Sequence, residues 1–500
     1  MGVVQKESIK LTIVSYLGAA LGYFNKVLLF ANFLSATQVG LVGILTNAAL
    51  LYAQLATLGT PSISNRFFPF FNNKEKRHHG FFFWGNVIVF AGFILTTLLF
   101  FLFKPLIIRQ FIDNSPLIVD YYYYLIPLAL GSVYFQFFES YLRSLLKTVV
   151  PTFLNEVFSK ILITICIVMY ALKWINFHQF VIIYVFCNFL TTFILLVYII
   201  YLKQFFILPE KSRMYKRLLK PILIYGMFTI FTILGVGILL NIDNLMIAVK
   251  LNLAQTGIYT VIFQITIALT LPYRSIQRIT SPLVGRFWKN REMAAIAELY
   301  RKTTLVMMIV GSGIILLMWG NLDSIFRFLP KEYSAARYSF ILLCISRYVD
   351  MITGLNGIIT LTSKKYKYDL YFMLVLVVLA IVLNLIFIPI YGITGAALAA
   401  MISLVLYNFL RVVFVWYNFK MQPFTIDCLW ILLITAGALV VVHFIPFIYN
   451  KYVSICINSA VIGAIYGGSI LLFKFSPEIN NMAYKLTGWK YLKSDKSMFE

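Results

Sequence analysis

Apolar residues recur along the whole chain in runs separated by short polar segments. A transmembrane α-helix needs about 20 predominantly apolar residues, and windows of that length detect such helices. They predict fourteen spans, at 11–33, 38–60, 80–103, 118–142, 152–172, 178–202, 221–248, 253–273, 303–321, 337–360, 369–389, 392–415, 427–448 and 452–473. The pattern therefore predicts an all-α integral membrane protein with about fourteen transmembrane helices.

Composition excludes a soluble protein and a large catalytic domain outside the membrane. Of the 500 residues, 61% are hydrophobic and 12% are charged, whereas soluble domains have about 25% charged residues. The longest predicted external loops, near 104–117 and 322–336, are too short to form a domain. No GxxxxGK[ST] phosphate loop, GxSxG elbow or HExxH helix occurs. We therefore expect a transporter rather than an enzyme.

The net charge of +24 indicates orientation rather than a nucleic-acid partner. Most of the 42 lysine and arginine residues lie in alternate loops, and cytoplasmic loops of membrane proteins carry this excess. The alternation places both termini in the cytoplasm, including a basic tail at 475–500.

A weak internal repeat divides the chain. A shift of about 217 residues superposes Gln38 on Gln255 and Gly40 on Gly257. It predicts two parallel six-helix lobes, 1–210 and 211–425, followed by an extra helix pair at 426–474. Parallel repeats of this kind are related by an axis along the membrane normal, as in alternating-access transporters, with a cavity between the halves.

Several turns carry a family resemblance. They are LSATQVG at 34–40, LGTP at 58–61 with Arg66, QTGIY at 255–259 and IPIYGITGAA at 388–397. The chain resembles polysaccharide exporters of the multidrug/oligosaccharidyl-lipid/polysaccharide (MOP) exporter superfamily over essentially its whole length.

This resemblance implies a V-shaped fold around a central cavity, and the extra helix pair is typical of members that handle polyisoprenoids. It also implies a flippase in the bacterial inner membrane. The substrate would be an undecaprenyl-diphosphate-linked oligosaccharide, moved to the periplasmic leaflet to build O-antigen, capsule or exopolysaccharide. A polysaccharide polymerase and a chain-length regulator would be its partners.

Lys26 is the first candidate for binding the diphosphate. It lies in the middle of a predicted span, with no acidic residue three or four positions away, and a cation there lowers the barrier to moving an anion through hydrocarbon. Asn25 would add a hydrogen bond. In the alternative interpretation, Lys26 reaches the membrane surface or pairs with an acid on another helix.

The repeat places Asp243 at the position equivalent to Lys26. The two side chains would then face each other across the cavity as a pair that breaks and re-forms. Asp243 would alternatively bind a coupling cation, or be a plain carboxylate at the membrane interface. Coupling to Na⁺ or H⁺ stays open, and we predict no resident cofactor or metal.

The remaining charges within spans are mostly close together on one helix. Glu139 with Arg143 and Glu156 with Lys160 have i,i+4 spacing, and Arg347 with Asp350 has i,i+3 spacing, so local ion pairs are expected. Lys160 and Arg347 are nevertheless candidates for phosphate contact, because guanidinium binds phosphate in a bidentate manner. Two more candidates, at the cytoplasmic ends of spans, would serve as anchors or receive the diphosphate on entry: Arg274 and Arg411.

Three alternative functions remain open. A cation-coupled multidrug or small-molecule exporter shares the predicted fold, but cavity acids rather than Lys26 would be expected in it. A lipid II flippase would use the same chemistry as the leading hypothesis. A polysaccharide polymerase or acyltransferase is disfavoured, because the chain shows neither a large external loop nor a catalytic His/Asp pattern.

Overall fold

The computed structural model describes residues 2–206, 208, 213–445 and 449–487. All regular secondary structure in the described residues is helical, and they include no strand. The predicted boundary at 210/211 and residues 488–500 of the predicted basic tail lie outside the described residues.

The chain separates into two compact units, residues 1–261 and 262–500, and the division falls inside a helix, α13. The helices of the first unit are α1 (Gly2–Tyr23), α2 (Ala31–Phe33), α3 (Ala36–Ala56), α4 (Thr60–Phe71), α5 (Phe81–Leu102), α6 (Lys104–Phe111), α7 (Leu117–Asp120), α8 (Leu125–Ser144), α9 (Val149–Phe153), α10 (Ser159–Ala171), α11 (Phe177–Tyr201), α12 (Arg213–Lys250) and α13 (Leu253–Ile267).

The helices of the second unit after α13 are α14 (Leu271–Asn290), α15 (Met293–Gly320), α16 (Leu322–Phe326), α17 (Arg337–Ile352), α18 (Leu355–Thr362), α19 (Lys367–Tyr391), α20 (Ile393–Phe419), α21 (Ile426–His443), α22 (Lys451–Ile462), α23 (Gly468–Phe473) and α24 (Pro477–Thr487). Three π-helical segments interrupt the α-helices of the described residues: Phe24–Phe30, Leu154–Phe158 and Gly463–Gly467. Short 3₁₀ turns lie at Arg77–Gly80, Tyr122–Tyr124, Ala268–Thr270 and Lys331–Ala336.

Eleven helical stretches in the described chain are long and apolar enough to cross a membrane. The bent pair Lys331–Ile352 and Leu355–Thr362 gives a twelfth. The other two predicted spans coincide with α8, which is too polar to be among the eleven, and with α21, whose apolar part, Ile426–Val442, is short. The prediction of an all-α multi-pass membrane protein is confirmed, whereas the count of fourteen and the repeat are not.

The spans expose large apolar side chains on one side and bury the other, as expected of helices that contact lipid. On α11, Phe186 and Phe193 are exposed, whereas Tyr184, Thr191 and Leu195 are buried against neighbouring helices. Because lipid solvates apolar side chains, the hydrophobic effect does not drive such helices together, and close packing between them does.

The segments that the repeat superposes begin helices in the same way. Ser35 caps α3 by accepting a hydrogen bond from the backbone N–H of Gln38 (3.3 Å), and Asn252 caps α13 by accepting one from that of Gln255 (2.9 Å). The two helices pack backbone to backbone at Gly40 and Gly257. The contact is so close that a Cβ atom on either glycine would overlap a carbonyl oxygen of the other helix.

Candidate functional site

Two adjoining cavities lie within the first unit. We call the first, of about 200 Å³, the cationic compartment; its walls are Gly22, Asn25, Lys26, Phe30, Val39, Val42, Gly43, Thr46, Asn47, Asn155, Ser159, Lys160, Ile163, Tyr184, Thr260 and Val261. We call the second, of about 350 Å³, the amide compartment; its walls are Thr46, Ala49, Leu50, Leu128, Gly131, Ser132, Phe135, Gln136, Glu139, Asn155, Ser159, Ile163, Asn188, Thr191 and Thr192. Four residues belong to both walls: Thr46, Asn155, Ser159 and Ile163.

Lys26 faces the cationic compartment with an exposed side chain. It lies in the π-helical segment Phe24–Phe30, and π-bulges frequently occur at functional sites because the extra residue redirects neighbouring side chains. Within the described part of the chain, no carboxylate forms an ion pair with Lys26. Its ammonium group is therefore available to an anion in the cavity.

Asn25 is buried, with only 3% of its surface exposed, and it connects the π-helical segment Phe24–Phe30 to α10. Its amide nitrogen donates to the carbonyl oxygen of Lys160 at 2.7 Å, and its amide oxygen accepts from the Thr164 hydroxyl at 2.7 Å. Both hydrogen bonds hold the segment that carries Lys26 against α10. Asn25 is thus placed to position Lys26, and the protein engages one N–H and the oxygen of its amide.

Lys160 lines the same compartment, but its charge is compensated. Its ammonium group pairs with Glu156 at 2.6 Å and donates to the carbonyl oxygen of Gly18 at 2.9 Å. Small residues on α1 permit this contact, since a Cβ on Gly18 would overlap Glu156 and one on Gly22 would press on Lys160. The predicted i,i+4 pair is formed, so Lys26 and Lys160 differ in the charge they offer a ligand.

Asp243 lies on α12, half-buried, and accepts a hydrogen bond from the Tyr259 hydroxyl at 3.0 Å. It does not form an ion pair with Lys26 in this structure. The neighbouring Asn244 accepts from Thr260, a residue of the cationic compartment wall. The predicted pairing across the cavity is therefore absent from this conformation.

The amide compartment was not anticipated from the sequence. Ser132, Gln136 and Glu139 on α8 follow one another at intervals of four and three residues, which places them on one helix face. Glu139 pairs with Arg143 at 2.6 Å, as its i,i+4 spacing predicts. A polar stripe at helical spacing inside a predicted span was the available signal for this wall.

Arg347 and Asp350 belong to the second unit and do not form the predicted i,i+3 ion pair. The Arg347 guanidinium lies over the Phe263 ring, 4.6 Å from its centroid, and its Nε is buried without a hydrogen-bond partner among the described residues. Asp350 instead accepts from the Asn408 amide at 3.2 Å. Each group takes a partner from another helix, which the sequence spacing did not indicate.

Arg411 and Arg274 also lie in the second unit. Arg411 pairs with Asp369 and stacks on the Tyr407 ring, 4.4 Å from its centroid, so it links α20 to α19. Arg274, on α14, is exposed and has no carboxylate partner within the described residues. Of the predicted site residues, the structure brings Lys26, Asn25 and Lys160 to one cavity.

The two compartments offer hydrogen-bond donors, acceptors and one uncompensated cation. The described residues hold no cluster of three or more His, Cys, Asp or Glu that would bind a metal ion. The chemistry on offer is therefore binding of an anion beside polar, uncharged groups.

Residues 4–288 match the family described as "Polysaccharide biosynthesis protein". No curated protein sequence matches the chain.

Several solved structures share the fold. The lipid II flippase MurJ in an inward closed conformation superposes with a TM-score of 0.72 at 17% identity, covering 95% of this chain and 99% of that one. A multidrug resistance MATE family transporter of the MOP superfamily, inward-facing, gives 0.59 at 14% identity, covering 81% and 94%. The Vibrio cholerae MATE transporter VcmN in its bent form gives 0.52 at 14% identity, covering 84% and 98%.

Proposed function

Because the chain belongs to the family of polysaccharide biosynthesis proteins, we propose that it flips an undecaprenyl-diphosphate-linked oligosaccharide across the bacterial inner membrane. The lipid-linked unit moves from the cytoplasmic to the periplasmic leaflet by alternating access and is then used for surface polysaccharide. Both termini face the cytoplasm, and a polymerase and a chain-length regulator act on the product.

The observation that supports this proposal most is the uncompensated Lys26 in the wall of a cavity between membrane-spanning helices. A charge in the middle of a bilayer is destabilised by several kcal/mol or more unless it is paired. A diphosphate that enters the cationic compartment gains that pairing from Lys26, with Lys160 close by. A cavity built for organic cations would instead place an uncompensated carboxylate there.

Lys26→Ala tests this assignment. Loss of a charge-assisted hydrogen bond removes about 1.5–3 kcal/mol, so we expect the initial flipping rate to fall about tenfold or more. Lys26→Arg keeps the charge and should retain most of the rate. The measurement uses the full chain in proteoliposomes with a fluorescently labelled lipid-linked oligosaccharide, and follows its protection from a membrane-impermeant quencher.

Lys147→Ala is the matched control, because Lys147 is an exposed lysine of the same unit that lines neither compartment. It should flip at the wild-type rate. A wild-type rate in Lys26→Ala would remove Lys26 from the mechanism. Failure of the wild-type chain to flip any diphosphate lipid would contradict the proposed function itself.

Lipid II transport is a second candidate, favoured by the extent of the structural match to MurJ. Lipid II also carries a diphosphate on a polyisoprenoid, so the cationic compartment would serve both substrates. The same proteoliposomes loaded with lipid II separate the two: faster flipping of lipid II than of the oligosaccharide lipid would favour this candidate. Transport of an organic cation with neither lipid moved would favour a multidrug exporter.

A further inference from the structure

In the proposed function the diphosphate occupies the cationic compartment, and the larger cavity beside it has no assigned ligand. The amide compartment, of about 350 Å³, falls in the range of about 300–1,000 Å³ typical of small-molecule sites. It shares four wall residues with the cationic compartment. A group attached directly to the diphosphate would therefore lie within reach of it.

Polar side chains without protein partners line the amide compartment. The side-chain amides of Gln136 and Asn155 form no hydrogen bond with any described residue, and Asn155 is exposed. The Asn188 amide nitrogen donates to the carbonyl oxygen of Tyr184 at 2.9 Å, which leaves its amide oxygen as an acceptor. Amides of this kind supply both donors and acceptors, as hydroxyl-rich ligands require.

The charge of this wall differs from that of its neighbour. No lysine or arginine lines the amide compartment, and the one charged residue among its described wall residues, Glu139, is paired with Arg143, which lies outside the wall. Phe135 adds an apolar aromatic ring, on which the C–H face of a ring-shaped polar ligand can pack. The wall therefore favours a neutral or amino-substituted polyhydroxylated ligand and disfavours a carboxylated one.

We propose that the amide compartment binds the sugar next to the diphosphate and selects neutral or amino sugars over uronic and other acidic sugars. Gln136 hydrogen-bonds the sugar hydroxyls, and the wall supplies no lysine or arginine to compensate a sugar carboxylate, because its one charged residue, Glu139, is a carboxylate already paired with Arg143. This inference rests on the proposed function, since the diphosphate in the cationic compartment brings the sugar to this wall. It further divides the site into a compartment for charge and a compartment for sugar identity.

Calorimetric titration of the purified full chain in detergent tests the division with three soluble probes. They are geranyl diphosphate, geranyl diphosphate linked to a neutral disaccharide, and the same compound with a uronic acid as its first sugar. We expect the neutral disaccharide probe to bind more tightly than geranyl diphosphate. Gln136→Ala should reduce that gain by about three- to tenfold, the equivalent of one lost neutral hydrogen bond, without weakening geranyl diphosphate.

Glu139→Gln supplies an independent measurement with an opposite sign. The acidic probe should bind the wild-type chain more weakly than the neutral one. This variant should reduce that difference by several-fold, because it removes the carboxylate of the wall and releases Arg143 from its ion pair. Gln136→Leu removes the amide at similar side-chain volume and replaces Gln136→Ala should the latter not fold. Asn86→Ala is the matched control, since this amide of α5 lies outside both compartments and donates to the Phe82 carbonyl oxygen of its own helix.

The outcomes separate the two proposals. Geranyl diphosphate binding with no gain from sugar, or a gain unaffected by both variants, would overturn the sugar compartment and leave the proposed function standing. Absence of binding by all three probes would overturn both. Equal loss in Gln136→Ala and Asn86→Ala would assign the effect to general destabilisation and likewise overturn the sugar compartment.

Discussion

Lys26 and Lys160 lie in the wall of one cavity, yet they serve it differently. Lys160 is paired with Glu156 and bound to a carbonyl oxygen, so it adds little net charge to the cavity. Lys26 has no such partner among the described residues, so no carboxylate compensates its ammonium group. Because Lys160 has a carboxylate partner and Lys26 has none, an anion is expected to bind at Lys26.

Asn25 is the residue on which the placement of Lys26 depends. Asn25→Ala removes two hydrogen bonds at 2.7 Å, and losing the partners of buried polar groups destabilises by about 1–3 kcal/mol each. We expect a lower unfolding temperature in detergent and a slower flipping rate. Thermal unfolding of Asn25→Ala and of the wild-type chain, with Asn86→Ala as control, measures the change in unfolding temperature. Equal unfolding temperatures of Asn25→Ala and the wild-type chain would contradict this role of Asn25.

The helix α8 lies in a predicted span, and one of its faces lines a cavity. Its face with Ser132, Gln136 and Glu139 lines the amide compartment, while Val133 and Phe137 are fully buried. A helix with a polar face toward a cavity has a lower mean hydropathy than one surrounded by lipid. This is why α8 is absent from the eleven apolar spans although it lies in a predicted one.

The contact of α3 with α13 depends on two glycines. Gly40→Ala or Gly257→Ala inserts a Cβ where the opposite helix has a carbonyl oxygen, and overpacking of this kind costs about 1–3 kcal/mol. We expect both variants to unfold at a lower temperature than the wild-type chain. Gly437→Ala is the control, since its Cβ would meet nothing within 4 Å; a similar loss there would contradict the packing explanation.

At the scale of the molecule, the orientation of the chain is a prediction from its basic loops. It requires α8 and α21 to cross the membrane, although neither is among the eleven apolar spans. If α8 crosses, Tyr123 and Lys147 lie on opposite sides. If α21 crosses, Lys420 and Tyr449 do as well.

Single cysteines at these four positions test the topology in intact cells with a membrane-impermeant maleimide. The background is Cys456→Ser, because Cys456 is exposed and the other four cysteines are buried. We expect Tyr123→Cys and Tyr449→Cys to be labelled from outside, and Lys147→Cys and Lys420→Cys only after permeabilisation. Labelling of both members of a pair from one side would show that the helix between them does not cross.

The sequence by itself determined the features that depend on local composition. Apolar runs identified a helical membrane protein because bilayer thickness fixes the length of a spanning helix. The i,i+4 spacing of Glu139 with Arg143 and of Glu156 with Lys160 was enough to predict both ion pairs, since such residues share one helix face. The sequence also showed no acidic residue near Lys26 on its own helix. In the structure, no carboxylate of the described residues forms an ion pair with Lys26.

Only the tertiary structure decided which polar residues meet. Asp350 binds Asn408 rather than Arg347, and Arg411 pairs with Asp369 on another helix, because helix packing brings together residues far apart in the chain. For the same reason the amide compartment, with walls from α3, α8, α10 and α11, had no linear motif. Charge and hydropathy are properties of a segment, whereas a cavity belongs to the helices that enclose it.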